Sequence, residues 1–446
     1  MNLVYNIKDK PKFGQVLLFA LQQLLAIMAA TIAVPSIVGN GMSQTAALFG
    51  AGVGTLVYLL FTKFSSPVFL GSSFAFLGSM FAAFAGAVST QAGYAGLIIG
   101  AAFAGLVYVV LAIIVKAVGV KWIDKIMPAV VIGPTVAIIG LSLAGNAVSD
   151  LTGNPSTAST YVCIICGLVT LAVTMLCSVY GKKMLKMIPF IIGILAGYVV
   201  ATLFTVIGLA TGNAALQIVD FSKFSSIEWI PNFAFIEAFK GVKELDAGYI
   251  ATIAVAYIPV AFVVFAEHIA DHKNLSSIIG TDLTKDPGLH RTLLGDGVGS
   301  IAGAFFAGCP NTTYGESIGC VAISGNASVV SILAAAIMAI VISFVGPFAT
   351  FLSTIPGCVM GGVCIALYGF IAVSGLKMIQ KVDLNNNRNL FVVSVILIAG
   401  VGGLSVSFGN VTLTEVACAL ILGILTNLIL GGMKKEEKEE KEEEAK

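Results

Sequence analysis

Long apolar stretches alternate with short polar connections along almost the whole chain. A helix needs roughly 20 apolar residues to cross the hydrocarbon core of a bilayer, and most of the stretches approach that length. The pattern predicts fourteen membrane-spanning segments, at residues 14–37, 44–62, 68–85, 94–115, 128–147, 158–179, 187–208, 250–270, 291–308, 311–325, 327–348, 356–375, 389–407 and 411–431. The third, ninth and tenth segments are short or interrupted by glycine, serine and threonine. We therefore predict an all-α polytopic membrane protein.

Composition supports this class. Of the 446 residues, 58% are hydrophobic and only 11% are charged, and the mean hydropathy is +0.99. A soluble protein could not bury so much apolar surface, whereas a bilayer can. Three lysines lead directly into the first long span, so we expect no cleavable signal peptide.

The basic residues predict the orientation of the chain. With the N-terminus in the cytosol, all but three of the 24 Lys and Arg residues fall at the N-terminus, in even-numbered connections or in the charged tail 434–446. The three exceptions belong to one long outer connection, residues 209–247. Cytoplasmic loops are enriched in Lys and Arg. We expect a multi-pass protein of the plasma (inner) membrane with both termini in the cytosol.

Two interrupted segments occupy corresponding places in the two halves of the chain. Fourteen spans divide into seven plus seven, and an odd-numbered unit repeated in tandem must be inserted upside down the second time. The interruptions are residues 70–74 and residues 311–316, and Ser73 in the first is a candidate substrate-binding residue. Paired breaks of this kind indicate a transporter's binding site, because half-helix ends present free backbone N–H groups. The alternative is that the small residues only permit close helix packing.

Acidic residues at membrane depth are the strongest functional signal. Glu267 ends an apolar run, and Glu316 follows the second break. A carboxylate is costly there unless it faces a cavity, a partner or a substrate. Asp271 lies four residues after Glu267, so both carboxylates share a helix face and we expect them to share a proton. The alternative places Asp271 in a solvated inner loop beside Lys273.

Other polar residues predict less. His268 points away from Glu267 on a helix, so we expect it to pack or to orient a neighbour. Asp296 is expected to form structural hydrogen bonds. We find no metal-ligand motif and no nucleophile–base pair, so we predict neither a metal site, a cofactor nor an enzyme.

Four stretches carry a family resemblance: 71–76 (GSSFAF), 266–268 (AEH), 286–291 (DPGLHR) and 310–319 (PNTTYGESIG). With them, the chain resembles the nucleobase–ascorbate transporters, also called nucleobase cation symporter family 2, and within that family the bacterial uracil–proton symporters. The resemblance extends from about residue 15 to the last span. It implies import of a nucleobase together with protons by alternating access.

The resemblance also implies a fold and a site. Segments 3 and 10 would each be a short extended piece followed by a half-helix. Glu267 and Glu316 would accept the N–H groups of the base, Phe74 and Gly315 would give backbone N–H groups to its carbonyls, and Tyr314 and Tyr368 would line the pocket. The implied parts are a cytosolic N-terminus (1–13), a core domain (14–127 and 250–348), a gate domain (128–249 and 349–433) and the tail (434–446).

The partners follow from this assignment. We expect a nucleobase, the lipid bilayer and no nucleic acid, and the family pattern implies a homodimer through the gate domain. The chemistry agrees without the family, because carboxylates suit the N–H groups of a uracil-like ring, helix amides suit its carbonyls and aromatic side chains suit its faces.

Several positions depart from the family pattern and leave alternatives open. Gln22–Gln23 replaces a Gln-His pair, Ser317 replaces an asparagine, and Ser324–Gly325 replaces an arginine position. Asp271 stands where uracil symporters carry histidine and where the purine branch carries aspartate. Uracil is therefore the first prediction and xanthine or urate the second. Sodium coupling stays open, and the more remote rival is an anion carrier or channel on the same plan.

Overall fold

The computed structural model describes residues 3–119, 122, 128–153, 158–182, 184–408 and 411–443. Most of the chain is helical. The helices are α1 (Phe13–Val38), α2 (Gln44–Phe61), α3 (Leu77–Ala85), α4 (Thr90–Val118), α5 (Ala129–Ser142), α6 (Ala144–Leu151), α7 (Thr160–Tyr180), α8 (Met184–Met187), α9 (Pro189–Thr211), α10 (Ala234–Gly241), α11 (Ala247–Ile279), α12 (Leu289–Ala307), α13 (Gly315–Ser324), α14 (Val329–Ile342), α15 (Gly346–Thr354), α16 (Gly357–Ile379), α17 (Asn387–Val401) and α18 (Glu415–Glu443).

Four three-residue strands form two antiparallel pairs. Strands β1 (Leu70–Ser72) and β2 (Asn311–Thr313) pair with each other although about 240 residues separate them. Strands β3 (Val406–Phe408) and β4 (Val411–Leu413) form a local hairpin. The extended pieces expected in segments 3 and 10 are therefore β1 and β2. A 3₁₀ turn, Phe74–Phe76, joins β1 to α3.

The long helices confirm a polytopic membrane protein. Within the described ranges, eight helices are long and apolar enough to cross a membrane, or nine if the pair α14–α15, bent by 82°, is one span. Three shorter apolar helices cover 74–85, 387–401 and 415–431. Each of the fourteen predicted segments contains a helix. The number of complete crossings stays a prediction.

The helices pack in two groups. In one group α2 contacts α12 and α14, α4 contacts α11 and α12, and α1 contacts α14. In the other group α5 contacts α16 and α17, α7 contacts α9 and α16, and α17 contacts α18.

Glycines permit a close contact between α2 and α12 in the first group. A Cβ on Gly50 would lie 2.6 Å from the carbonyl oxygen of Gly303, and a Cβ on Gly54 would lie 2.8 Å from that of Gly299. Each pair of glycines is spaced four residues apart on its helix, the pattern that lets two membrane helices approach.

Some predicted boundaries differ from the structure. Segment 8 was expected to end at residue 270, where the apolar run ends. Helix α11 instead continues through the polar residues that follow, to Ile279. Segment 11 is the bent pair α14–α15 rather than one span to residue 348. The predicted boundary at residue 127, the last residues of the tail, and Lys121, Lys125 and Lys183 of the charge tally lie outside the described residues.

Candidate functional site

Two broken segments meet inside the first helix group through β1 and β2. The register pairs Leu70 with Thr313, Gly71 with Thr312 and Ser72 with Asn311. The backbone N–H of Ser73 extends the pairing by donating to the carbonyl of Pro310 at 2.8 Å. Each strand has only three residues, so the chain turns into a helix immediately afterwards. Because the strands are antiparallel, α3 and α13 begin beyond opposite ends of the strand pair, within the apolar interior.

Buried side chains fix strands β1 and β2 in place. The Asn311 amide donates to the carbonyl of Gly50 at 3.0 Å, and its backbone N–H donates to the Ser300 hydroxyl at 3.0 Å. The missing side chains of Gly54 and Gly303 leave the space that the Asn311 side chain fills. On the opposite side, the Thr55 hydroxyl accepts from the backbone N–H of Leu70 at 2.9 Å. Backbone groups that strands this short leave unpaired are thus satisfied by side chains, as burial requires.

Three carboxylates lie close together beside the β1–β2 pair. Glu267 and Asp271 lie on α11, and Glu316 lies in the first turn of α13, which packs against α11. All three side chains are half-buried. Glu267 is close enough to both Asp271 and Glu316 for electrostatic interaction. The predicted cluster of acids is therefore present, on two elements separated in sequence.

The carboxylates differ in their partners. Asp271 accepts a hydrogen bond from the Thr313 hydroxyl at 2.7 Å. In the part of the chain that the structure describes, neither Glu267 nor Glu316 bonds to another side chain. A half-buried carboxylate without such a partner can accept hydrogen bonds from a ligand.

Open space adjoins the start of α13. Its N-terminal cap, Tyr314, provides no side-chain hydrogen bond. A Cβ added to Gly315, or to Gly319 one turn later, would meet nothing within 4 Å, and Gly315 is exposed. The first N–H groups of a helix have no partner within the helix. The family resemblance assigns the N–H of Gly315 to a substrate carbonyl, and that assignment stays a prediction.

Aromatic side chains border the same region. The rings of Phe74 and Tyr368 contact edge to face, with centroids 5.9 Å apart and planes at 78°. Tyr368 belongs to α16 of the second helix group, so this contact joins the two groups. Tyr314 is more constrained than expected for a pocket side chain, because its hydroxyl donates to the carbonyl of Ser72 at 2.6 Å and its ring fills the space beside Gly71. Ser73 is buried, with 1% of its surface exposed.

A cavity leads away from the acidic cluster. It has a volume of about 650 Å³ and is lined by parts of both helix groups. Asp271 and Lys273 line it from α11, and Lys377 and Lys381 line it from the end of α16 and the residues after it. The alternative placed Asp271 in an inner loop, and that placement is wrong, because α11 continues to Ile279 and the Thr313 hydroxyl donates a hydrogen bond to Asp271.

A second polar network lies behind the cluster. His268 contacts a carboxylate oxygen of Asp296 at 2.7 Å through Nδ1 and the Thr292 hydroxyl at 3.0 Å through Nε2. The Nε2 atom of His272 contacts the Tyr58 hydroxyl at 2.7 Å. These contacts fit two expectations: that His268 orients a neighbour, and that Asp296 forms structural hydrogen bonds.

Sequence reasoning missed several partners of the site. Thr313 was quoted only as part of a motif, although a hydroxyl next to Tyr314 on a short strand was a usable signal. Gln23 and Ser317, which both differ from the family pattern, also contact each other: the Gln23 side-chain amide donates to the carbonyl of Ser317 at 3.3 Å. The Ser317 hydroxyl accepts from the backbone N–H of Phe69 at 3.1 Å.

Comparison with known proteins decides the family. A family model described as "Permease family" (Xan_ur_permease) matches residues 14–408. The chain belongs to this permease family. The membership confirms the resemblance predicted from the motifs, and it identifies a transporter rather than an enzyme.

Curated relatives match over nearly the whole chain. A protein named uracil permease from Bacillus caldolyticus is 40% identical over 96% of this chain and 95% of its own. Uracil permeases of Bacillus subtilis and Escherichia coli K12 are 39% and 37% identical, over 97% and 99% of this chain and 96% and 97% of their own.

Solved structures share the fold. The transmembrane domain of the cyanobacterial bicarbonate transporter BicA superposes with a TM-score of 0.64 at 16% identity, over 94% of this chain and 100% of that chain. The murine anion transporter Slc26a9, in its inward-facing state, gives a TM-score of 0.69 at 13% identity, over 96% and 69%. At these identities the similarity describes architecture alone.

Proposed function

We propose that this permease imports uracil together with protons as a secondary active transporter. The observation that carries the proposal is the pairing of two half-buried carboxylates, Glu267 and Glu316, with an open helix start at Gly315. The curated relatives at 37–40% identity are named uracil permease. Site chemistry and kinship therefore point to the same substrate.

The site suits the edge of a uracil ring. Uracil presents N–H donors and carbonyl acceptors in one plane, with a flat face on each side. Glu267 and Glu316 accept from the N–H groups, and the backbone N–H groups of Phe74 and Gly315 donate to the carbonyls. Charge-assisted hydrogen bonds of this kind are about twice as strong as neutral ones. Tyr368 borders the site from the opposing group, while Tyr314 and Ser73 hold the first group in shape.

The proposed architecture has fourteen spans in two inverted seven-span repeats. The first helix group is the core domain (14–127 and 250–348) and the second is the gate domain (128–249 and 349–433). The pairing of β1 with β2 supports the repeat, because it brings the third segment of each half together. Relative movement of two packed groups around a fixed site would alternate access.

Proton coupling is assigned to Glu267, Asp271 and Glu316. Like charges at partial burial oppose joint ionisation, so the cluster binds a proton more readily than an isolated carboxylate. The contact of Asp271 with Thr313 links the cluster to strand β2. Sodium is the competing coupling ion.

The remaining assignments concern the surroundings. The protein is proposed to lie in the plasma (inner) membrane with both termini in the cytosol, and to form a homodimer through the gate domain. A purine substrate is the alternative, because Asp271 is the residue of the purine branch. The anion transport of the solved structures does not transfer, since the carboxylates at this site would repel an anion.

Competition for binding tests the substrate. Purified protein should bind labelled uracil, with excess unlabelled uracil displacing it and xanthine, urate or adenine displacing little. Glu267→Gln should lose binding, whereas Glu237→Gln, on the outer connection, should retain it. Displacement by xanthine or urate as efficient as by uracil would transfer the assignment to purines.

Flux measurements test the coupling. In proteoliposomes, uracil entry should carry protons and should not require sodium. Asp271→Asn should reduce the number of protons moved per uracil. An unchanged proton flux in this variant would remove Asp271 from the coupling group.

A further inference from the structure

The N-terminal residues 3–9 run along the connection between α13 and α14. The backbone N–H groups of Val4 and Tyr5 both donate to the carbonyl of Gly325, at 2.8 and 3.2 Å. In return, the backbone N–H of Ala327 donates to the carbonyl of Tyr5 at 2.9 Å. Tyr5 and Asn326 thus form a parallel bridge. We name residues 3–9 the N-terminal strap.

Further contacts lengthen this attachment. The backbone N–H of Val329 donates to the carbonyl of Ile7 at 3.1 Å, and the Ser328 hydroxyl donates to that of Asp9 at 2.6 Å. Gly325 ends α13 in the left-handed conformation, with φ +67°, and a Cβ there would approach Val4. The strap therefore covers the whole connection rather than touching it at one point.

This connection begins where α13, the helix that carries Glu316, ends. Helix α13 has only ten residues and begins at the open space beside the site. Its first turn is held by β2, and its last residue is followed by the strap contacts. A short helix moves as a unit, so the anchoring at both of its ends sets the position of Glu316.

We propose that the N-terminal strap is a positioning element that holds the far end of α13 and thereby fixes Glu316 for substrate binding. This role rests on the proposed function, in which Glu316 accepts a hydrogen bond from the substrate. The strap does not touch the substrate. Its loss therefore weakens binding more than it slows the transport step.

A native cysteine reports on the position of α13. Cys320 lies one turn after Glu316 and is 3% exposed, packed against Ala26 and the partly buried Ile188. Alkylation of this thiol requires α13 to move away from those neighbours. Cys163 and Cys364, on α7 and α16 of the other helix group, are equally buried and report on general loosening.

The experiment compares a variant lacking residues 3–9 with two point variants. Val4→Pro removes one backbone donor to Gly325, and Ser328→Ala removes the hydroxyl donor to Asp9. Tyr5→Phe is the control, since it loses only the hydroxyl bond to the Gln15 amide oxygen at 2.6 Å. Alkylation by N-ethylmaleimide is followed for each cysteine by peptide mass spectrometry, and uracil uptake is measured in proteoliposomes.

In the deletion variant, KM for uracil should rise about fivefold or more, the lower range for coupled sites, with little change in maximal rate. Alkylation of Cys320 should become several-fold faster, while Cys163 and Cys364 keep their rates. The point variants should show smaller shifts in the same direction, and Tyr5→Phe should match the parent protein.

Two results would overturn the proposal. One is an unchanged KM and an unchanged Cys320 rate in the deletion variant. The other is equal acceleration at all three cysteines, which would make the strap a general stabiliser. Should the parent protein fail to bind uracil, the proposed function fails, yet the alkylation rates still decide whether the strap holds α13.

Discussion

The two broken segments, 70–85 and 311–324, share a backbone plan and differ in their side chains. Each begins with a three-residue strand and continues as a short helix. After the strand, the first segment places the ring of Phe74, whereas the second places Gly315 and the carboxylate of Glu316. In the site proposed above, one break thus contributes an aromatic edge and backbone donors, and the other contributes backbone donors and charge. The comparison teaches that paired breaks provide similar scaffolds for unlike chemistry.

The far ends of the two short helices are anchored differently. The Ser79 hydroxyl donates to the carbonyl of Ala256 at 2.7 Å, and the Tyr249 hydroxyl donates to that of Ala83 at 2.7 Å, so α3 is tied to α11. Helix α13 instead ends at the connection that the N-terminal strap covers. The charged half-helix is therefore held by a segment from the start of the chain, and the uncharged one by a neighbouring membrane helix.

Removing the charge from the second segment should have the largest effect. Glu316→Gln keeps the size of the side chain and loses a charged acceptor, whose hydrogen bonds contribute about 1.5–3 kcal/mol each. We expect uracil affinity to fall roughly 10- to 100-fold, measured by equilibrium binding to purified protein. Glu237→Gln, which removes a charge on the outer connection, should bind normally. Unchanged affinity in Glu316→Gln would show that the two segments do not divide the chemistry as described.

Adding a methyl group beside strand β2 should have the second-largest effect. A methyl group at Gly303 would overlap the Asn311 side chain and lie 2.9 Å from the carbonyl oxygen of Gly50. Overpacking of this kind typically costs about 1–3 kcal/mol, so Gly303→Ala should lower the melting temperature in detergent. Gly369→Ala is the matched control, because its Cβ meets nothing within 4 Å. Equal melting of both variants would contradict the close packing of α2, α12 and β2.

Cutting the side-chain link between the segments should have a moderate effect. Tyr314→Phe removes the hydroxyl that bonds the carbonyl of Ser72, a net contribution of about 0.5–1.5 kcal/mol. We expect a small drop in melting temperature together with weaker uracil binding. Tyr161→Phe, whose side chain is 80% exposed, should change neither. Weaker binding without any loss of stability would instead place the Tyr314 hydroxyl in contact with the substrate.

Changing the aromatic edge of the first segment should have the smallest effect. Phe74→Leu keeps an apolar side chain and the backbone N–H but loses the ring contact with Tyr368, worth about 0.5–1.5 kcal/mol. We expect uracil affinity to decrease about two- to tenfold. Competition binding provides the measurement, and Phe81→Leu, later in the same segment, is the control. A loss as large as that of Glu316→Gln would reverse the ranking of the two segments.

Asp271 shows where sequence reasoning reached its limit. The spacing of Glu267 and Asp271 predicted a shared helix face, but apolar periodicity ends near residue 270. Two readings therefore stayed open. The structure excludes the loop, because Asp271 lies within α11 and accepts a hydrogen bond from Thr313, a residue 42 positions away in sequence. No local pattern could show that contact.

The sequence by itself determined that this is a polytopic membrane protein, roughly where its apolar segments lie, and which acidic residues lie among them. Each span must satisfy its own backbone hydrogen bonds in lipid, so the signal is local and hydropathy records it. Glu267 and Glu316 were visible for the same reason, because charge is rare at that depth. Only the tertiary structure decided the β1–β2 register, the partner of Asp271 and the course of residues 3–9 beside Gly325. These contacts join residues far apart in the chain, and their energies depend on packing that no single segment encodes.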